Sequence, residues 1–160
     1  LGYAMSDEGR LLSLLASGKY HGKLSRETPF RVNDGDLLMV GSTDIFWEEG
    51  EHIDLRDWKT TSEEDAPAAY YEEQLRFYAY AMHVYRREKG LPEKTIRIGI
   101  NYLRSPERER IRAEMSPEMI SETGRDVHRA AVSALLDFFE ARPERCPVCP
   151  WRDICSKKHI

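Results

Sequence analysis

Two extended segments, LLMVGSTDIFWE and IDLRDWKT, flank the short turn EGEH in the middle of the chain. This pattern constrains the fold more than any other feature. Two strand-patterned runs joined by a tight turn pair with each other, and their pairing fixes which side chains share a face. The preceding stretch KYHGKLSRETPFRV is also extended in pattern and is followed by the turn signal NDG at 33–35. Pro29 marks that segment as an edge or an irregularity. The centre of the chain therefore reads as a run of antiparallel strands.

Helical periodicity brackets these strands. DEGRLLSLLAS, residues 7–17, has apolar positions at 11, 12, 14, 15 and 16, with Gly18 as a stop. A long helix is expected from about Ala68 to Lys89, with Leu75, Tyr78, Met82 and Tyr85 as its apolar stripe and Gly90 and Pro92 ending it. TIRIGINYL alternates as a further strand, and ERERIRAEM adds one more. SPEMISETGRDVHRAAVSALLDFFEA reads as a last helix, capped by Ser116 with Pro117 at its first position. The order predicts an α/β fold, a mixed sheet flanked by helices.

A chain of 160 residues suits a single domain with a sizeable core. With 41% hydrophobic and 32% charged residues, it has a globular composition. No apolar run approaches the roughly 20 residues that span a bilayer, and no signal peptide is expected, so no membrane partner is expected. The chain starts at Leu1, as a domain cut from a longer protein would. A net charge of −4 gives no bulk support for nucleic-acid binding, but a local groove can supply the attraction.

Strand alternation places Asp57 and Lys59 on one face with Ile53 and Leu55, and His52, Asp54, Arg56 and Trp58 on the other. A carboxylate and an ammonium on an aliphatic face are costly unless they pair or bind something. Asp44, in VGSTDIFW, repeats the anomaly on the preceding strand. Two such carboxylates, a carbonyl and waters make a hard oxygen site suited to Mg²⁺ or Mn²⁺. Lys59 beside it would orient a water or stabilise a phosphoryl oxygen. The competing reading is a plain Asp57–Lys59 salt bridge on a half-exposed strand. Gln74 and Tyr78 lie four apart on one face of the following helix, where they would reach a nucleic-acid backbone or order Lys59. The competing reading there is a boundary Gln and a packed Tyr. Tyr70, Tyr71, Phe77, Tyr78, Tyr80 and Tyr85 make that helix aromatic, for core packing rather than base stacking.

Cys146, Cys149 and Cys155 form C-x2-C-x5-C. An odd, clustered set suits a metal site in a reducing compartment, here the cytoplasm, better than a disulfide framework. The readings are an iron–sulfur cluster, a zinc site completed by His159, or free thiols.

Taken together, ETPF, GSTDIF, DWKTT, QLRFYAYA and the cysteine tail resemble the RecB-like nuclease domain of the PD-(D/E)XK superfamily, from about Glu27 to Cys155. The resemblance implies Asp44 and Asp57 as metal ligands with the Trp58 carbonyl, Lys59 as catalytic lysine, Glu27 at the metal site, and Gln74 and Tyr78 in support. It implies a DNA exonuclease domain of a repair or recombination helicase–nuclease, acting on DNA, single-stranded ends in particular. It also implies a [4Fe–4S] cluster on Cys146, Cys149 and Cys155 with a fourth cysteine before Leu1. Residues 1–145 would form the nuclease domain and 146–160 the cluster-binding tail. The family's upstream helical His has no counterpart in YAMSDEGRLL: the chain starts after that residue, or the site is incomplete, or Glu8 substitutes. A stand-alone CRISPR-adaptation-type nuclease and an inactive DNA-binding or docking module are the alternatives. Asp rather than Glu at position 57 leans toward the helicase-linked group.

Overall fold

A computed structural model describes residues 7–18, 23–60, 71–103, 112–136 and 146. Helix α1 spans Asp7–Ala16. Strands β1 (Lys23–Asp34), β2 (Leu37–Glu49) and β3 (His52–Lys59) follow. Then come α2 (Glu72–Glu88), β4 (Thr95–Tyr102), β5 (Arg112–Glu114) and α3 (Pro117–Leu135). The chain divides into two compact units, residues 1–127 and 128–160. The first contains the whole sheet; of the second, the C-terminal part of α3, Leu136 and Cys146 are described.

The five strands form one sheet in the order β1-β2-β3-β4-β5. The first three are antiparallel neighbours, joined by turns in which Gly35 (φ 61°) and Gly50 (φ 54°) take the left-handed backbone that a side chain disfavours. β3 and β4 are parallel, so the chain must cross over between them, and α2 lies in that crossover. β5 closes the far edge antiparallel to β4. The sheet is therefore mixed, as the order of patterned segments predicted.

β3 is central, and Ile53–Asp57 are all buried. On one side Ile53, Leu55, Ile96, Ile98, Ile100 and Tyr102 form a core with Leu75 and Ala79 of α2. Farther along α2, Tyr80, Ala81 and Val84 pack on Val32 and Met39 of the β1–β2 hairpin. α3 joins both clusters through Ile120, and Gly124 lets it approach α2: a Cβ there would lie 2.7 Å from the Tyr80 ring. Asp34 accepts a hydrogen bond from the Tyr80 hydroxyl and another from Arg87 at 2.7 Å, which fastens the hairpin to α2.

The helix ends follow their sequence signals. Ser116 Oγ accepts from the Met119 N–H at 3.2 Å, capping α3. Gly90 (φ 61°) ends α2, and the Leu91 N–H returns to the Arg86 carbonyl at 2.9 Å, as in a Schellman turn. Glu72 and Glu73 in the first turn and Arg86 and Arg87 in the last complement the helix dipole. One expectation needs correction. Tyr85 is exposed, because the buried stripe of α2 runs through Leu75, Ala79, Tyr80, Ala81, Val84 and Arg86 instead. The face of β3 that carries Asp54 and Arg56 is also buried at those two residues, 5% and 4% exposed, because a central strand is covered on both sides. Residues 68–70 and 137–141, the expected ends of two helices, lie outside the described residues.

Candidate active site

The site forms at the C-terminal end of β3. The β2–β3 ladder ends with Ile45 opposite Arg56, so Asp44 and Asp57 are the next residues on each strand. Asp44 is exposed, and its Oδ2 accepts a hydrogen bond from the Trp58 backbone N–H at 2.9 Å. That bond anchors the Asp44 carboxylate on β3 beside Asp57. The convergence expected from alternation is thus observed.

Asp57 is 3% exposed, and Lys59 Nζ sits 2.6 Å from its Oδ2. Oδ2 is buried, and the close contact with the Lys59 ammonium offsets that burial. Burial pushes the Asp57 carboxyl up. The Lys59 ammonium pulls it down, and the neighbouring Asp44 carboxylate pushes it up again; the net position is above the usual Asp range. The salt bridge that spacing alone would allow is present, but on a buried strand rather than a half-exposed one.

Lys59 is held on a second side. Its Nζ stands 4.0 Å from the ring centroid of Tyr71, the residue that opens α2. Reading the sequence gave Tyr71 no role beyond an aromatic helix. The available signal was its place one turn before Gln74, at the start of the helix that packs over β3.

Gln74 Nε2 donates to the Tyr78 hydroxyl at 2.8 Å, so the two meet as the i, i+4 spacing predicted. Tyr78 packs against the core cluster and stands edge-on to Phe30 at 5.9 Å. The pair is one to two turns along α2 from Tyr71.

Glu27 is exposed and has a left-handed backbone, φ 42°, rare for a residue with a side chain. Arg26 pairs with Ile45 and Thr28 with Thr43, so Glu27 faces Asp44 where the ladder skips a pair. Strict alternation would put Met39 and Phe46 on opposite faces, yet Met39 packs on α2 residues and Phe46 packs on the core that holds Leu75 and Ala79. The skipped pair lies between them, where the hairpin turns its faces. Backbone strain of this kind concentrates at functional sites.

Among the described residues no three His, Cys, Asp or Glu side chains form a metal-binding group. The donors brought together are Asp44 and Asp57, with the Trp58 backbone beside them. Glu8 lies in α1 but its side chain is outside the described residues, as are Cys149 and Cys155. Cys146 is half-buried.

A mixed five-stranded sheet that ends its buried central strand in Asp-x-Lys, with a second Asp beside it, has the restriction-endonuclease-like architecture. Residues 5–156 match the family model of the PD-(D/E)XK nuclease superfamily, and the chain belongs to that superfamily. Membership implies a nuclease that binds DNA, and such nucleases typically use Mg²⁺ or Mn²⁺. No curated protein matches. Among solved structures, the crystal structure of SSO0001 is similar, with TM-score 0.49 and 15% identity, covering 96% of this chain and 68% of that one. No described helix is long and apolar enough to cross a membrane.

Proposed function

We propose that the chain is a Mg²⁺- or Mn²⁺-dependent DNA exonuclease domain of a repair or recombination helicase–nuclease. One observation carries this reading: a buried Asp57 carboxylate, in contact with the Lys59 ammonium at 2.6 Å, stands beside a second carboxylate, Asp44. Hard oxygen donors of this kind fit a divalent cation, which would relieve both the burial and the Asp44–Asp57 repulsion.

Asp44, Asp57 and the Trp58 carbonyl would hold the cation, with Glu27 across from Asp44. When bound, the cation supplies a polarised phosphoryl oxygen and a water of lowered pKa. Asp57 fixes the inner end of the site, because burial leaves it one position. Asp44 forms the outer, accessible end. Lys59 orients the attacking water or stabilises the charge that develops on the phosphoryl oxygen. Gln74 and Tyr78, hydrogen-bonded to each other, support the DNA backbone or the lysine.

Three thiolates spaced C-x2-C-x5-C are a soft donor set that fits iron–sulfur chemistry. We assign Cys146, Cys149 and Cys155, with a fourth ligand, to a structural [4Fe–4S] cluster in a tail at 146–160, after a nuclease domain at 1–145. Thiolate ligation fits a reducing, cytoplasmic setting, with helicase domains or subunits as partners. Iron and a visible absorption band in anaerobically purified protein are expected; zinc without iron contradicts the cluster.

The activity is tested with Mn²⁺ on linear and on closed circular single-stranded DNA. The linear DNA is degraded, the circle survives, and Asp57→Ala stops degradation of the linear DNA. Wild-type protein inert in Mg²⁺ and Mn²⁺, or an Asp57→Ala variant as active as wild type, contradicts the reading.

A further inference from the structure

We infer that Tyr71 is the positioning residue of Lys59, holding the ammonium between the aromatic face and Asp57; this rests on the nuclease reading of the site. Lysine is a compact charge on a flexible four-carbon stem, and it loses much rotamer freedom when fixed. Here both ends of Lys59 are fixed. Its carbonyl accepts the Leu103 N–H at 3.0 Å, which pins the strand end. Its Nζ lies 2.6 Å from Asp57 Oδ2 and 4.0 Å from the Tyr71 ring centroid. The side chain is 20% exposed, so the contact with the ring's negative face is partly desolvated and correspondingly stronger.

The ring is itself held in place. The Tyr71 carbonyl accepts the Leu75 N–H at 3.0 Å in the first turn of α2, and the side chain packs on the core that contains Leu55 and Ile100. α2 thereby sets the position of the lysine from outside β3. Without the ring, the ammonium keeps its 2.6 Å contact with Asp57 but loses the restraint on its other side. It then turns about the carboxylate and leaves the position from which it acts. Tyr71 touches neither substrate nor reacting atoms in this arrangement; it acts through Lys59.

Tyr71→Phe keeps the aromatic face, whereas Tyr71→Leu keeps an apolar side chain without it. Cleavage of linear DNA in Mn²⁺ and the NMR shift of the Lys59 ε-methylene protons are measured on both, with Asp57→Ala as control. The phenylalanine variant keeps kcat and the high-field ring-current shift of Lys59. The leucine variant loses the shift and about tenfold in kcat, with KM for DNA unchanged. Equal kcat in the two variants, with cleavage still dependent on Asp57, overturns the role of Tyr71 alone. A high-field Lys59 shift retained in the leucine variant also overturns it. Cleavage that survives Asp57→Ala overturns the nuclease reading itself.

Discussion

β3 carries the same charge pattern twice, on opposite faces. Asp54 and Arg56 point to one side, Asp57 and Lys59 to the other, and both carboxylates are buried. The first pair is neutralised from two sides. Arg56 donates to Asp54 Oδ1 at 2.7 Å, lies over the Trp47 ring at 5.4 Å, and Arg97 reaches the other Asp54 oxygen at 3.6 Å. The second pair is not. Asp57 Oδ2 meets one ammonium, that of Lys59 at 2.6 Å, with a second carboxylate, Asp44, beside it. Asp54 thus has a guanidinium near each oxygen, whereas Asp57 shares one ammonium with a like-charged neighbour. The same spacing therefore gives a neutralised pair on one face and, beside Asp44, an excess of negative charge on the other.

If that contrast is right, the two pairs fail differently. The largest effect is on activity: Lys59→Ala lowers kcat on DNA per folded molecule by about a hundredfold to a thousandfold, and it also lowers the urea midpoint, because Asp57 loses the contact that offsets its burial. A comparable loss from Arg56→Ala per folded molecule would erase the distinction. Next, Arg56→Ala strands a buried carboxylate and destabilises the fold by about 3 kcal/mol in urea unfolding. Replacing both Asp54 and Arg56 by leucine recovers most of that loss. The reverse sign is expected on the other face. Asp57→Asn relieves the repulsion with Asp44 and raises stability by about 1 kcal/mol while cleavage is lost. A destabilised Asp57→Asn protein would mean that this face is neutralised too.

The smallest effect sharpens the rule away from β3. Burial, and then the hydrogen bond to Asp34 and its charge, push the Tyr80 hydroxyl from its ordinary 10.0 to about 12. A raised folded-state value contributes stability that is complete below pH 10 and is lost as pH rises from 10 toward 12. Tyr80→Phe should flatten that alkaline decline in a urea series across pH 9–12. An unchanged slope would show that another group governs it.

Much of this was readable before the fold. Hairpin turns with Gly35 and Gly50, the Ser116 cap and the Gly90 stop are local, and each residue type has one physical use at its position. The shared face of Asp57 and Lys59 followed from strand geometry. What was not readable depends on contacts distant in sequence. Burial of Asp54 and Arg56 requires β3 to be central, which the parallel crossover to β4 decides. The exposed Tyr85 reflects a helix rotated on its sheet. Tyr71 acquires a role only where α2 lies over Lys59. The left-handed backbone of Glu27 carries no signature in the sequence, because non-glycine residues rarely adopt it.

The central claim is that a divalent cation belongs on the Asp57 face of β3 and not on the Asp54 face. Calorimetric titration of Mn²⁺ into wild-type protein, Asp57→Asn and Asp54→Asn tests it most directly. Binding by wild type and Asp54→Asn, and its loss in Asp57→Asn, is the result expected. Asp57→Asn protein that binds Mn²⁺ as tightly as wild type would contradict the account.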